Sequence, residues 1–376
     1  MIKVASPTII GDEFEYLKKA IIATDLSGSG KYNSKCQNWF DEFFKKGKSL
    51  TTSSCSHALD MSALIIDIQK GDEVIMASFN FVSAANSFAL RGAKIIFIDI
   101  SAEDFNINPN LIETAITNKT KAIVLTHYAG VPCNMSMIVE IAKKNNIIII
   151  EDCAHSLGSK YNNKLIGSFG DISAFSFHSS KNLTSGGEGG MILINNKKYI
   201  EKAEIIREKG TNRSKFIRGE IDKYSWVGVG SSFLMNELSA SFLYCQLSNF
   251  KEIQSNRVKL YNLYLKRLIP LKEEGFIKLQ YIPNNCSHSA HIFSIILENS
   301  NQRLLIQKYL AKNNIQALSH YVPLHSSNTG KIFGIFNGKD YFTSKISNSL
   351  LRLPLHHSLK VSDVEHVCNV IKEFFK

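Results

Sequence analysis

A chain of 376 residues, 44% of them hydrophobic, is long enough to bury a large core and is expected to divide into two domains. No stretch approaches the roughly 18–20 apolar residues of a membrane span, the start Met1-Ile-Lys-Val-Ala-Ser-Pro7 lacks a secretory apolar run, and the seven scattered cysteines form no C-x-x-C pair; membrane insertion, export, a metal site and a disulfide framework are not expected, and a cytoplasmic location is. The formal net charge of +11 fits either a well-solvated basic surface or an anionic partner, and without arginine–aromatic interleaving that partner is a phosphorylated small molecule rather than nucleic acid.

In chain order, the turn Lys70-Gly-Asp72 introduces an apolar strand over residues 73–77, followed by a helix over 81–90. A strand over 93–99 precedes a helix over 110–117. A strand over 121–125 precedes a helix over 136–145, and another strand follows over 147–151. Strands over 172–177 and 190–195 come next. Such alternation predicts an α/β fold with a mainly parallel sheet covered by helices on both faces. Ligands of such sheets gather at the carboxyl ends of the strands. A helix over 237–250 is expected to continue, as a long charged helix, to about residue 267. Beyond it Pro270, Pro283 and Pro323 separate shorter segments, including a strand over 291–297. The expected division is a large domain over 1–250 and a smaller α+β domain over 251–376.

Two strand ends carry chemistry. The run Ile147-Ile-Ile-Ile-Glu-Asp152 ends an apolar strand on an acid. The run Phe175-Ser-Phe-His-Ser-Ser-Lys181-Asn182 ends another in a polar turn with one lysine, followed by the glycine cluster Gly186-Gly-Glu-Gly-Gly190. A strand-end lysine and a strand-end aspartate are the two groups a pyridoxal phosphate (PLP) enzyme needs. The lysine forms a Schiff base with the cofactor aldehyde, and the aspartate keeps the pyridinium nitrogen protonated. Read alone, Asp152 is a helix cap or turn residue and His155 a core histidine. Ser54-Cys-Ser56 before an apolar helix is an anion site or a plain N-cap. Ser176 offers the phosphate a further hydroxyl. Phe81 is a stacking partner for the cofactor or ordinary core.

Taken together, the segments resemble the DegT/DnrJ/EryC1/StrS family of PLP-dependent sugar aminotransferases over nearly the whole chain. They run from Ser27-Gly-Ser-Gly30 through Ser54-Cys-Ser56 and Gly71-Asp-Glu-Val-Ile-Met-Ala-Ser-Phe-Asn-Phe81. Glu151-Asp-Cys-Ala-His155, Gly167-Ser-Phe-Gly170 and the Lys181 turn complete the pattern. The resemblance implies the fold of PLP-dependent transferases of fold type I: a large domain with a mostly parallel seven-stranded sheet, and a smaller C-terminal α+β domain. It implies catalytic Lys181, Asp152 and His155, with Cys55, Ser56, Phe81, Ser176, Ser231 and Ser232 as further cofactor contacts. Two departures stand out. Cys55 replaces a glycine of many members. Gly230-Ser-Ser-Phe-Leu-Met235 lacks an asparagine that in many members reaches the phosphate from the neighbouring subunit, and Ser231 or Ser232 is its substitute. Asn182, Lys209, Arg218, Tyr321 and His325 are expected to contact substrate.

The segments Arg207-Glu-Lys-Gly-Thr-Asn-Arg213, Arg218-Gly-Glu-Ile-Asp-Lys-Tyr224, His320-Tyr-Val-Pro-Leu-His325 and Leu351-Arg-Leu-Pro-Leu355 are similar to members that aminate C4 of a dTDP-linked 4-keto-6-deoxy sugar for surface glycans. The implied amino donor is L-glutamate, and the implied assembly is a homodimer with shared active sites. Alternatives on the same scaffold are an aminotransferase for another 3- or 4-ketosugar nucleotide, a PLP-dependent sugar dehydratase, and a non-catalytic regulator. Dehydratase relatives replace the lysine with histidine, and an intact Lys181, Asp152 and His155 argue against a regulator.

Overall fold

Eight strands form the central sheet of the computed structural model, which describes residues Met1–Lys376. They are β1 (Lys48–Thr52), β2 (Glu73–Ala77), β3 (Lys94–Ile98), β4 (Thr120–Thr126), β5 (Ile148–Asp152), β6 (Ile172–Ser176), β7 (Gly190–Ile194) and β8 (Gly334–Phe336). Their spatial order is β1-β7-β6-β5-β4-β2-β3-β8. From β6 across to β8 every pair is parallel. Only β7 runs against its neighbours, β1 and β6. The fold is that of the type I PLP-dependent transferases, with β8 added at the edge by the C-terminal part of the chain.

The isoleucine-rich strands are buried on both faces because alternate residues feed two separate cores. Ile75, Ile96, Ile98, Ile123, Leu125 and Ile149 enter one. Val74, Met76, Ile95, Phe97, Val124 and Ile150 enter the other. Helices close both sides with their apolar stripes. Tyr32, Cys36, Phe40 and Phe44 of helix Lys31–Phe44 cover the first core, with Ile138 and Ile141 of helix Met135–Lys144. Leu59, Met61 and Ile65 of helix Cys55–Ile65 cover the second, with Phe88 of helix Val82–Ala89. A third core lies in the C-terminal part. There helices Phe250–Glu273, Ser300–Lys312 and Val361–Phe374 pack on an antiparallel sheet of Lys278–Leu279, Phe293–Ile296 and Leu350–Leu353. No helix is long and apolar enough to cross a membrane.

Several elements differ from the sequence expectation. The helix expected over 110–117 is a 3-10 turn, Pro109–Leu111, running into a single helical turn, Ile112–Ala115. The helix expected from 237 to about 267 is two helices, Glu237–Ser248 and Phe250–Glu273, which meet at Asn249. Pro270 lies inside the second, about one turn from its end, without ending it. β1 has a single leucine among polar residues and β8 is only three residues long, so neither shows a strand pattern in the sequence.

The close crossing at the sheet edge generates a prediction. A Cβ on Gly190 would lie 2.4 Å from the Ser54 carbonyl carbon and 2.6 Å from the Cys55 nitrogen. Both contacts are backbone, so neither can swing away. Gly190→Ala is therefore expected to destabilise the fold by about 1–3 kcal/mol, read as a lower urea midpoint with unchanged m-value. An unchanged midpoint would show that the crossing is loose.

Candidate active site

One cross-sheet row gathers the site. Thr52 lies opposite Gly190, Gly190 opposite Ser176, Ala174 opposite Asp152, and Asp152 opposite Thr126. The carboxyl ends of β1, β4, β5 and β6 thus line one edge, together with the amino end of the reversed strand β7.

Asp152 is buried at that edge. Its Oδ1 accepts from the Ala154 N–H at 3.0 Å and its Oδ2 from the Thr126 hydroxyl at 3.3 Å. Burial pushes its carboxyl above the usual range, opposed by the Ala154 amide, the charge of Lys181 and the Thr126 hydroxyl. The same hydroxyl also lies 3.0 Å from Asn80 Oδ1, so its one proton is shared between the two oxygens. The sequence marks neither Thr126 nor Asn80, since single polar residues at strand ends are common.

Lys181 sits in the turn after β6, where its N–H donates to the His178 carbonyl at 2.9 Å. The turn is folded back on the glycine cluster by the Ser179 N–H to Gly187 carbonyl and Phe177 N–H to Gly189 carbonyl bonds. Desolvation lowers the ammonium from 10.5 to about 8, with Asp152 and Cys55 pulling upward and Arg352 pushing further down. A lysine this weakly basic is a nucleophile and proton carrier near neutral pH.

Beside this pair begins helix Cys55–Ile65. Ser54 caps it by accepting the His57 N–H at 3.1 Å. The amides of Cys55 and Ser56, at its first two positions, have no helical acceptor and suit an anion. The Ser56 and Ser83 hydroxyls meet at 2.8 Å. Burial raises the Cys55 thiol, and it feels the charges of both Asp152 and Lys181.

His155 is buried, and its ring stacks on His291 with centroids 4.3 Å apart. Its Nε2 lies 3.4 Å from the Tyr321 hydroxyl, and its Nδ1 has no partner. Burial, then the charge of Lys181, holds it neutral. Phe81, 53% exposed as a residue, caps the next helix, and its ring lies 6.0 Å from that of Tyr321. Asn182 is turned inward: its amide donates to the Ser289 carbonyl and its oxygen meets His291 Nδ1, both at 2.8 Å.

The remaining sequence-marked residues lie apart from this group. His325 bonds the Ser78 hydroxyl at 2.7 Å and lies 3.4 Å from Asp340. Arg218 is held by Glu204 at 2.9 Å and Glu220 at 2.6 Å. Lys209 is exposed, its N–H bonded to the Ser231 carbonyl. Ser231 and Ser232 lie on an exposed segment whose neighbour Phe233 accepts the Ser53 N–H.

Glu151, next to Asp152, has a different task. It is completely buried and accepts the N–H groups of Gly167, Phe169 and Gly170 at 2.6–2.8 Å. His127 Nδ1 accepts the Cys133 N–H, so its Nε2 carries a proton and donates to Glu151 at 3.3 Å. Burial would raise this carboxyl, but His127 and the glycine amides outweigh it and hold it low. The G-S-F-G segment is therefore a clamp on Glu151.

These residues fit pyridoxal 5′-phosphate. The buried carboxylate suits a pyridinium, the unpartnered His155 Nδ1 a ring oxygen, the helix start a phosphate and the open Phe81 ring a flat heterocycle. A weakly basic lysine beside a buried aspartate, on the carboxyl edge of this sheet, defines a fold type I PLP-dependent transferase. The chain belongs to the DegT/DnrJ/EryC1/StrS aminotransferase family, whose sequence model matches residues 7–372; the aminotransferases of this family use PLP. It is 30% identical over 375 residues to a GDP-perosamine synthase of Escherichia coli O157:H7, covering 100% of this chain and 98% of that one. It is 31% identical over 324 residues to a dTDP-3-amino-3,6-dideoxy-alpha-D-galactopyranose transaminase of Aneurinibacillus thermoaerophilus, covering 85% and 84%. Among solved structures, the aminotransferase TlmJ of Streptoalloteichus hindustanus superposes with a TM-score of 0.90 at 25% identity, covering 100% of this chain and 99% of that one.

The depressed basicity of Lys181 predicts a pH profile. Only the neutral amine attacks a carbonyl, so capture of PLP by the cofactor-free protein should accelerate with rising pH and level off above about 8. Asp152→Asn should move the midpoint lower still, because the carboxylate is what favours the ammonium. Stopped-flow absorbance across pH checks both; a midpoint near 10.5, the ordinary lysine value, would contradict the desolvated environment.

Proposed function

We propose that the protein transfers the amino group of L-glutamate to C4 of dTDP-4-dehydro-6-deoxy-D-glucose. The product is dTDP-4-amino-4,6-dideoxy-D-galactose, a precursor for a surface glycan. The observation that carries the aminotransferase reading is the half-buried Lys181, poised near neutral basicity within reach of the Asp152 charge. PLP, when bound, supplies an electron sink conjugated to the carbon that exchanges its proton.

The side chains divide the work. Lys181 Nζ anchors the cofactor between turnovers, and once free it takes the proton from the α-carbon of glutamate. In the second half-reaction it delivers a proton to C4 of the sugar. The Asp152 carboxylate, oriented by Thr126 and Ala154, keeps the ring nitrogen protonated. His155 Nδ1 engages the ring oxygen, and Phe81 covers the ring face. The amides of Cys55 and Ser56, with the hydroxyls of Ser56 and Ser176, hold the phosphate. Ser231 and Ser232 add to it across a homodimer interface. Tyr321, bonded to His155, contacts the sugar. Lys209, whose side chain is exposed, is a further candidate substrate contact, and Asn182, Arg218 and His325 become so when binding frees them from the partners they now hold.

Support for the sugar comes from the resemblance of the segments over 207–213, 218–224 and 320–325, of which the last brings Tyr321 up to His155 and Phe81. The transaminase relative acts on a dTDP-linked sugar by its name. A GDP-linked ketosugar is the second reading, favoured by the perosamine synthase relative. Fold and cofactor chemistry do not choose between them.

Purified protein incubated with glutamate and dTDP-4-dehydro-6-deoxy-D-glucose should give an axial C4 amine by NMR. An equatorial C4 amine, a C3 amine, or activity only with a GDP- or UDP-linked ketosugar would overturn the substrate while leaving amino transfer intact. Asp152→Asn should retain bound PLP but lower turnover by about 10²–10³, the usual cost of losing one well-placed electrostatic partner. Near-normal turnover in that variant would remove Asp152 from its role.

A further inference from the structure

Three buried polar side chains form a row at the carboxyl edge of the sheet, one from each of three neighbouring strands. Asn80 follows β2, while Thr126 and Asp152 end β4 and β5. Thr126 has one hydroxyl proton and two oxygens to receive it, Asn80 Oδ1 at 3.0 Å and Asp152 Oδ2 at 3.3 Å. A single hydroxyl proton satisfies only one of them fully. Where that proton points decides how much of Asp152 is left for a cation.

The orientation of Asn80 is fixed by its neighbour. Its Oδ1 also accepts the Phe81 N–H at 2.8 Å. Reversing the carboxamide would set an NH2 group against that N–H, so an oxygen faces Thr126 rather than a donor. This orientation is costly. Asn80 is 1% exposed, and its Nδ2 is buried without a partner, a state that buried amides rarely tolerate. With the amide reversed, Nδ2 would meet the Thr126 oxygen, and the hydroxyl would be committed to Asp152. The observed orientation forgoes that hydrogen bond and keeps a second acceptor for the threonine proton. An aspartate at position 80 would supply the acceptor without an orphan donor, but it would set a second carboxylate beside Asp152. A neutral acceptor held in one orientation serves the proton and spares the acid.

We propose that Asn80 is a positioning residue for the cofactor, the acceptor that takes the Thr126 proton when a pyridinium nitrogen claims Asp152. This rests on the PLP-dependent aminotransferase reading above. In the cofactor-free protein the shared hydroxyl steadies the Asp152 carboxylate. On cofactor binding the hydroxyl turns to Asn80, and Asp152 Oδ2 is released to the ring. Without Asn80 the hydroxyl has no second acceptor, stays on Asp152 and weakens its hold on the ring nitrogen. The same Asn80 oxygen holds the backbone of Phe81, so the residue that covers the ring face is tied to the group that frees the acid.

The test titrates the cofactor-free full chain with pyridoxamine 5′-phosphate, which carries the ring and the phosphate but no aldehyde to react with Lys181. Asn80→Ala should weaken binding about tenfold, within the range of coupled neighbours. In a Thr126→Val background no hydroxyl competes for Asp152, and the same substitution should cost about twofold or less, the remainder being the loosened Phe81 N–H. Inorganic phosphate, which reaches the anion site without a ring, should bind the natural protein and Asn80→Ala equally. In the PLP-loaded protein the pH midpoint of the cofactor's absorbance change should rise in Asn80→Ala, because a less protonated ring leaves the nitrogen joined to Lys181 more basic. Circular dichroism selects folded variants; Asn80→Ser, too short to reach Thr126, carries the same expectation should the alanine variant not fold. An equal loss of pyridoxamine phosphate in both backgrounds, no loss in either, or phosphate binding weakened as much would overturn the proposal. Coupling of Asn80 to Thr126 in a protein that transfers no amino group would overturn the proposed function and leave this role of Asn80 standing.

Discussion

Two adjacent carboxylates at the end of β5 are the constraint on which the site depends. Strand geometry sends successive side chains to opposite faces, so Glu151 and Asp152 enter different environments. Glu151 is saturated by three loop amides and a histidine, which together offset its burial. Asp152 receives one amide and one hydroxyl, and burial prevails. The first carboxylate is a structural anchor that locks the loop over 167–170 under the strand. The second keeps unspent capacity for a cation that comes from outside the polypeptide. Desolvation with incomplete hydrogen bonding distinguishes a working acid from a structural one.

The same logic extends across the cleft. His155, His291 and His320 are all held neutral by burial, reinforced by nearby cations. Neutral rings can stack and can accept or donate a single bond without adding charge next to Lys181. His155 is fixed by its stack on His291, which Asn182 orients in turn. A chain of contacts thus runs from the Lys181 turn through Asn182 to His291, two residues before the strand Phe293–Ile296. The large sheet and the C-terminal unit are coupled through the site itself.

Much of this was legible in the residues. The strands over 73–77, 93–99, 121–125, 147–151, 172–177 and 190–195 announce themselves by β-branched runs, and all six are present within two residues at each end. The lysine and aspartate stood out because each ends such a run. Less legible were elements without a pattern of their own. β1, Lys48-Ser-Leu-Thr-Thr52, is a strand because β7 pairs with it along its whole length. The roles of Glu151 and Gly167-Ser-Phe-Gly170 were also hidden, since a motif names residues but not the bond between them. Arg207 is a similar case. It stands in a motif that suggests substrate, yet it is buried and donates to the Thr51 carbonyl, the Thr51 hydroxyl and the Gly28 carbonyl.

The central claim is that Lys181 is the residue through which this chain carries its cofactor. Borohydride reduction of the purified, PLP-loaded protein, followed by proteolysis and mass spectrometry, tests it most directly. The account predicts a pyridoxyl group on the peptide containing Lys181 and on no other. Modification of a different lysine, or no covalent label in a protein that retains the cofactor, would contradict it.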